Sequence, residues 1–449
     1  MKSRSYLFLF LFCIILYGCN TLDEMNPEKD GSVSGNSYSV SEQDICRLID
    51  MRNKGPKTKS DPRKAEISPL VRDGDTLLFI VNYDEGWDIF TADKRMPHII
   101  ATSDKGSFDI NDANPALLSW MEDYIIRTRE LKSNLIEVKD SVNIEFWNKL
   151  SPKNAPTVLT KGGEEHEGEW LQLVYTLWEY EYDEVVPHLM STRWGQGDPW
   201  YLCTPMTPTE GRTPTGCGAV AVSQVVKYWH DYAGTPAVTY EYGQCSGYYH
   251  QDVADFDIIP LNLYNPSSTI WNRMPNLNSS NDSLGIKAVA ALMARAGKEL
   301  HMDYGPLESG CDSAAFNNCP MLDSIGCNSV TQYSYSVVFN KIRQGKPVIL
   351  LLNKVSGNGH VVVADGLVRR RDRFTYYYQW MPMWTYPPVE PEEPDWNHPE
   401  NYVISDPVYG DEEQLLKINW GWDGNGDDGV YVVSGNWGLY TPSYMITIN

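Results

Sequence analysis

Positive charge is scarce in this sequence. The 449-residue chain carries 37 Lys and Arg against 59 Asp and Glu, a net charge of -22 with a pI near 4.7. Such a surface repels phosphate backbones and anionic lipid alike, so nucleic acid is not expected among the partners. The N-terminal apolar run, Tyr6–Leu16, is too short to span a bilayer as a helix. Nine cysteines and eight histidines show no zinc-ligand spacing. The acidic stretch from Asp423 begins like a calcium loop. Asp428 stands where that loop needs Gly, however, and Ser434 where it needs a bidentate Glu. No metal or cofactor is expected. What remains is an ordinary globular balance, 42% hydrophobic and 21% charged, on a chain long enough for two or three domains.

Lys2 and Arg4 followed by the Tyr6–Leu16 run form an export signal over residues 1–19. It closes on Leu16-Tyr17-Gly18-Cys19, which resembles a bacterial lipobox. Cys19 is therefore expected to carry a lipid anchor, on a mature chain at the outer membrane or cell surface. Residues 20–40 are polar and read as a flexible tether. Residues 41–145 mix helix and strand signals. Ser41 caps a helix with Ile45, Leu48 and Ile49 inward. Strand runs follow at Ile67–Val71, Thr76–Asn82, Trp87–Ala92 and Ile99–Thr102, then a helix over Leu117–Leu131. A small α+β module without a catalytic cluster, ahead of a nucleophile, points to an inhibitor-like pro-domain. Residues 146–186 begin rich in Pro, Gly and Glu and are read as a linker and processing region. Residues 187–449 carry the chemistry.

The stretch Thr213–Trp229 opens with turn residues and continues with Ala219, Val222, Val225, Val226 and Trp229 at helical spacing. Ser223, Gln224 and Lys227 are expected largely on the other side. Cys217 then sits in the first turn of a buried helix. The unpaired N–H groups and partial positive charge there favour a thiolate, and the same N–H groups can hold an oxyanion. Taken alone, Cys217 is equally well an ordinary buried residue. Downstream, Pro347–Asn353 is a buried-strand run. His360 follows Gly359 at the start of a second strand, and a third run leads into Asn419-Trp420. A thiol, an imidazole and an amide in this order suit nucleophile, base and orienter. Helices are also expected over Leu284–Lys298 and Val337–Arg343.

Three segments carry a resemblance: Gly216-Cys217-Gly218-Ala219-Val220-Ala221-Val222-Ser223-Gln224, Gly359-His360-Val361-Val362-Val363-Ala364-Asp365-Gly366, and Asn419-Trp420-Gly421-Trp422. Together they resemble the streptopain family of cysteine peptidases over most of 187–449, and residues 41–145 look like that family's inhibitory pro-domain. The resemblance implies an α+β fold: a papain-like peptidase of a helical half and an antiparallel sheet half, preceded by a small α+β pro-domain. It implies Cys217 as nucleophile and His360 as general base and acid. It further implies Asn419 as orienter of His360, Trp420 as shield of that contact, and Gln196 as partner of the Cys217 N–H in an oxyanion hole. The partners implied are protein or peptide substrates and the chain's own pro-domain as an intramolecular inhibitor. A catalytically inactive surface-binding protein on the same fold is the alternative. Gly218 and Val220 in the helix, the longer loop after Trp422 and an aromatic insertion over 374–401 depart from the family pattern. In an exported chain, Cys311 is open to pairing with Cys319 or Cys327.

Overall fold

The computed structural model describes residues 38–448 except 54–63, 114, 136–141, 152–154, 156–165, 167–168, 208–210, 234–269, 355–356, 383–394, 396–397, 424–428 and 433–439. The expected export signal over 1–19 with Cys19, the expected tether as far as residue 37, most of the loop after Trp422 and most of 383–397 lie outside the described residues. The chain forms two compact units that do not follow chain order. One comprises residues 1–100, 128–178 and 374–406; the other comprises 101–127, 179–373 and 407–449.

In the first unit, three strands make an antiparallel meander: Ala65–Arg72, Asp75–Tyr83 and Trp87–Thr91. Asp73 and Gly74 turn the first hairpin with φ of 55° and 87°. Two consecutive left-handed residues match the right-handed twist of the flanking strands. Helix Glu42–Asn53 starts where the sequence places it. Ser41 Oγ accepts from the Asp44 N–H at 3.2 Å, and Asp44 Oδ2 accepts from the Ser41 N–H at 2.9 Å. This reciprocal cap satisfies two donors that the helix itself cannot. Ile45, Leu48 and Ile49 are buried, as their spacing predicts.

The second unit joins a helix pair to a sheet. Cys217–Ala233 packs against Ser283–Glu299, and Asp282 caps the latter by accepting from the N–H groups of Leu284 and Gly285. The sheet order is Ile99–Ser103, Gly429–Val432, Val408–Asn419, Gly357–Pro382, Val348–Lys354, Tyr440–Ile448 and Cys327–Gln332. Here Ala101 and Thr102 pair with Tyr431 and Val430.

Ser223, Gln224 and Lys227, off the apolar stripe of their helix, are buried as well. Two sequence expectations are corrected. Segment 146–186 is not all linker. It contains the end of helix Val142–Lys149 and the 18-residue strand Glu169–Val186, whose Trp, Tyr, Leu and Val content favours a half-buried pleated surface. His360 is not a strand's first residue. Its strand runs from Gly357 to Pro382 and pairs Leu352 with His360. That strand absorbs Phe374–Pro382, the start of the aromatic insertion. Phe374 and Tyr376 to Tyr378 are core residues of the first unit.

Candidate active site

Cys217 is the first residue of its helix. The turn before it is built around Gly216, whose φ is 83°. A Cβ there would lie 2.6 Å from Met302 Sδ and 3.1 Å from the Ser309 carbonyl oxygen. The turn is pinned on two sides. The Thr215 N–H donates to the Gln196 carbonyl at 3.0 Å, and Ser309 Oγ donates to the Pro214 carbonyl at 2.7 Å. Gln196, expected at the oxyanion hole, is thus held by its backbone two residues from the nucleophile, and it is buried.

The structure brings Cys217 and His360 together as a hydrogen-bonded pair, and their proton affinities move in opposite directions. Burial pushes the Cys217 thiol up. The His360 charge, the His360 hydrogen bond and the N–H groups of Val361 and Gly218 outweigh it, and the net shift is downward. Burial pushes the His360 imidazole down. The Cys217 charge and hydrogen bond, with the Trp420 carbonyl, outweigh it, and the net shift is upward. Both shifts favour thiolate and imidazolium.

The acceptor behind His360 is not the one predicted. His360 Nε2 lies 3.2 Å from the backbone oxygen of Trp420. A carbonyl oxygen only accepts, so Nε2 must carry a proton, and Nδ1 is left for the sulfur. The Asn419 amide is bonded elsewhere. Its Nδ2 donates to the Thr192 carbonyl at 3.1 Å and to Gln224 Oε1 at 3.2 Å. Its Oδ1 accepts from the Gly421 N–H at 3.0 Å and from Gln224 Nε2 at 3.2 Å. Both lone pairs of Oδ1 are taken, so no acceptor site remains for the imidazole. Trp420 is buried, and its ring stacks near His360 with centroids 6.2 Å apart and planes 23° apart.

Sequence reasoning missed three features around this centre. Gln224 lies seven residues, two helical turns, from Cys217 and so on the same face; that period was the available signal. Trp200 Nε1 donates to Asp423, whose carboxyl is pushed up by burial and lies where any Gly195 side chain would go. Gly218 leaves room for a second thiol: a Cβ there would lie 2.9 Å from Cys311 Sγ. Cys311, Cys319 and Cys327 are free thiols, so Cys311 pairs with neither Cys319 nor Cys327. Burial pushes the thiols of Cys311, Cys319 and Cys327 up to about 12. Iodoacetamide at pH 6.5 is therefore expected to label Cys217 well ahead of these three. Equal labelling of Cys311 in a peptide map contradicts the assignment. Among the described residues, no group of His, Cys, Asp and Glu is arranged to hold a metal ion.

A thiol at a helix N-terminus, bonded to an imidazole that a backbone carbonyl holds from behind, fits a cysteine peptidase. The chain belongs to the Peptidase C10 family, whose model matches residues 194–431, and a Spi protease inhibitor model matches 48–127. It is similar to streptopain of Streptococcus pyogenes, with 27% identity over 330 residues, 68% of this chain and 70% of that protein. Among solved structures it is similar to a prointerpain A fragment of Prevotella intermedia, at 19% identity. That match covers 85% of this chain and 98% of the fragment, with a TM-score of 0.48. Active interpain A of the same organism matches at 22% identity over 59% of this chain and 95% of its own, with a TM-score of 0.35. The protein is thus a thiol protease of mixed helix and sheet that carries an inhibitor-type pro-domain, the make-up of a zymogen.

Proposed function

We propose that the chain is an exported endopeptidase anchored through a lipid on Cys19 and held inactive by its own residues 41–145 until cleaved. The observation that carries the catalytic part is the Cys217–His360 pair at a helix N-terminus, with Trp420's carbonyl behind the imidazole. The Cys217 thiolate attacks the peptide carbonyl carbon. The carbonyl oxygen becomes an oxyanion facing the Cys217 N–H and the Gln196 side chain. His360 gives its Nδ1 proton to the leaving amine, and a thioester remains on Cys217. Water then loses a proton to Nδ1 as its oxygen attacks the thioester, releasing the carboxylic acid and restoring the Cys217 thiolate beside the His360 imidazolium. The short basic segment, the apolar run and the lipobox-like Leu16–Cys19 support export and anchoring.

Processing needs a segment that can be drawn out into a protease cleft. The strand Glu169–Val186 resists this, and Glu181 and Glu184 are tied to Arg371 and Arg343. Cleavage is therefore expected between residues 150 and 168. Purified 20–449 incubated alone should yield a new N-terminus in that window by mass spectrometry, while Cys217→Ala stays intact. Identical processing of both, or a cut inside 169–186, contradicts the proposal.

A further inference from the structure

Gln224 is 1% exposed on an apolar stretch of the nucleophile helix. A buried amide is costly unless bonded, and this one is bonded throughout. Its Oε1 accepts from the Trp194 N–H at 3.3 Å and from Asn419 Nδ2, and its Nε2 donates to Asn419 Oδ1. The two amides thus face each other head to tail. Their orientations are fixed by groups of unambiguous polarity. The Trp194 and Gly421 N–H groups can only donate, and the Thr192 carbonyl can only accept.

The link to the imidazole runs through one peptide group. The Gly421 N–H held by Asn419 Oδ1 and the Trp420 carbonyl facing His360 Nε2 belong to the same planar unit. In a trans peptide the N–H and C=O point in opposite directions, so fixing one aims the other. Gly421 has a φ of 69°, and a Cβ there would lie 3.1 Å from Val220 Cγ1 on the nucleophile helix. The same pair of amides also ties down Thr192 and Trp194, which lead into Gln196.

We propose that Gln224 is a positioning residue for the peptidase. Locked to the Asn419 amide, it holds the 420–421 peptide so that the Trp420 carbonyl accepts the hydrogen bond from the His360 Nε2–H and leaves Nδ1 aimed at Cys217. This rests on Cys217 and His360 being the catalytic pair. Asn419 orients the base through the backbone, with Gln224 as its anchor on the helix that carries the nucleophile.

The test compares the wild-type chain, Gln224→Met and Asn419→Ala, singly and combined, each first shown to be folded by its melting transition. For Gln224→Met, kcat on a peptide substrate should fall ten- to hundredfold with KM within about twofold. The basic limb of kcat/KM should move to lower pH, because the imidazolium loses a fixed acceptor. The double variant should be no slower than Asn419→Ala alone, since the two amides act as one unit. If Gln224→Met does not fold, Gln224→Asn keeps the amide one methylene short and should show the same limb shift in smaller measure. A folded variant with wild-type kcat and limbs overturns the proposal. So does a loss confined to melting temperature, or a double variant whose losses add. If the wild-type chain itself hydrolyses nothing, the catalytic reading has failed and the positioning role falls with it. Wild-type activity beside an unmoved limb rejects the positioning role alone.

Discussion

His360→Ala is expected to lower kcat/KM on the order of 10⁴-fold or more and to slow alkylation of Cys217 near neutral pH. The first effect removes the group that donates to the leaving amine and accepts from water, and single losses within a catalytic unit cost about as much as losing the unit. The second follows from the balance at the sulfur. Burial pushes the thiol up, and the His360 charge and hydrogen bond reverse this. Without the ring, burial acts against only the Val361 and Gly218 N–H groups. An ordinary thiol with pKa about 8.5 is only about 1% thiolate at pH 6.5, and burial lowers that further. The wild-type signs give the pH window. Cys217 is shifted down, so its thiolate persists as pH falls below the ordinary thiol range and is lost only at the lowered value. His360 is shifted up, so its imidazolium persists above 6.5 and is lost only at the raised value. Activity should form a bell between the two, and the alkylation curve of His360→Ala should lie at higher pH than wild type. Rapid labelling of Cys217 in that variant at pH 6.5 refutes the pairing.

What the sequence shows best is what depends on local period and on residue type. The apolar face of Cys217–Ala233, the cap at Ser41 and the strands of the first module follow from spacing and turn chemistry, and the pair Cys217–His360 from residue types in order and the family resemblance. What it hides is which atoms of a side chain meet which backbone groups. Asn419 is the right residue type next to the right strand, yet its amide reaches the base only through the 420–421 peptide. Gln224 reads only as a polar residue off the apolar stripe, because single-helix periodicity cannot show which groups meet that side of the helix. The strand Glu169–Val186 was obscured by the Pro- and Gly-rich stretch before it. Its partner, the 26-residue strand Gly357–Pro382, lies almost two hundred residues away. Gly218 reads as a departure from family pattern until Cys311 Sγ is seen beside it.

Gly216→Ala is expected to lower kcat/KM about a hundredfold while the chain still folds. The left-handed φ of 83° costs an alanine about 1 kcal/mol relative to glycine. The new methyl would also press on Met302 Sδ at 2.6 Å and on the Ser309 carbonyl at 3.1 Å. Overpacking of this kind costs typically about 1–3 kcal/mol. The methionine end can swing aside, but the carbonyl is backbone, and Ser309 Oγ already holds Pro214. The strain is therefore relieved most easily by shifting the turn, which carries Cys217 away from His360. A misplacement of about 1 Å at a reacting atom costs on the order of 10²-fold in rate. Trimming the methionine separates the two contributions. Met302→Ala added to Gly216→Ala should recover part of the lost melting temperature but little of the rate, because φ and the Ser309 contact remain. Full recovery of rate in the double variant would place the fault in side-chain crowding alone and remove the backbone turn as the device that seats the nucleophile.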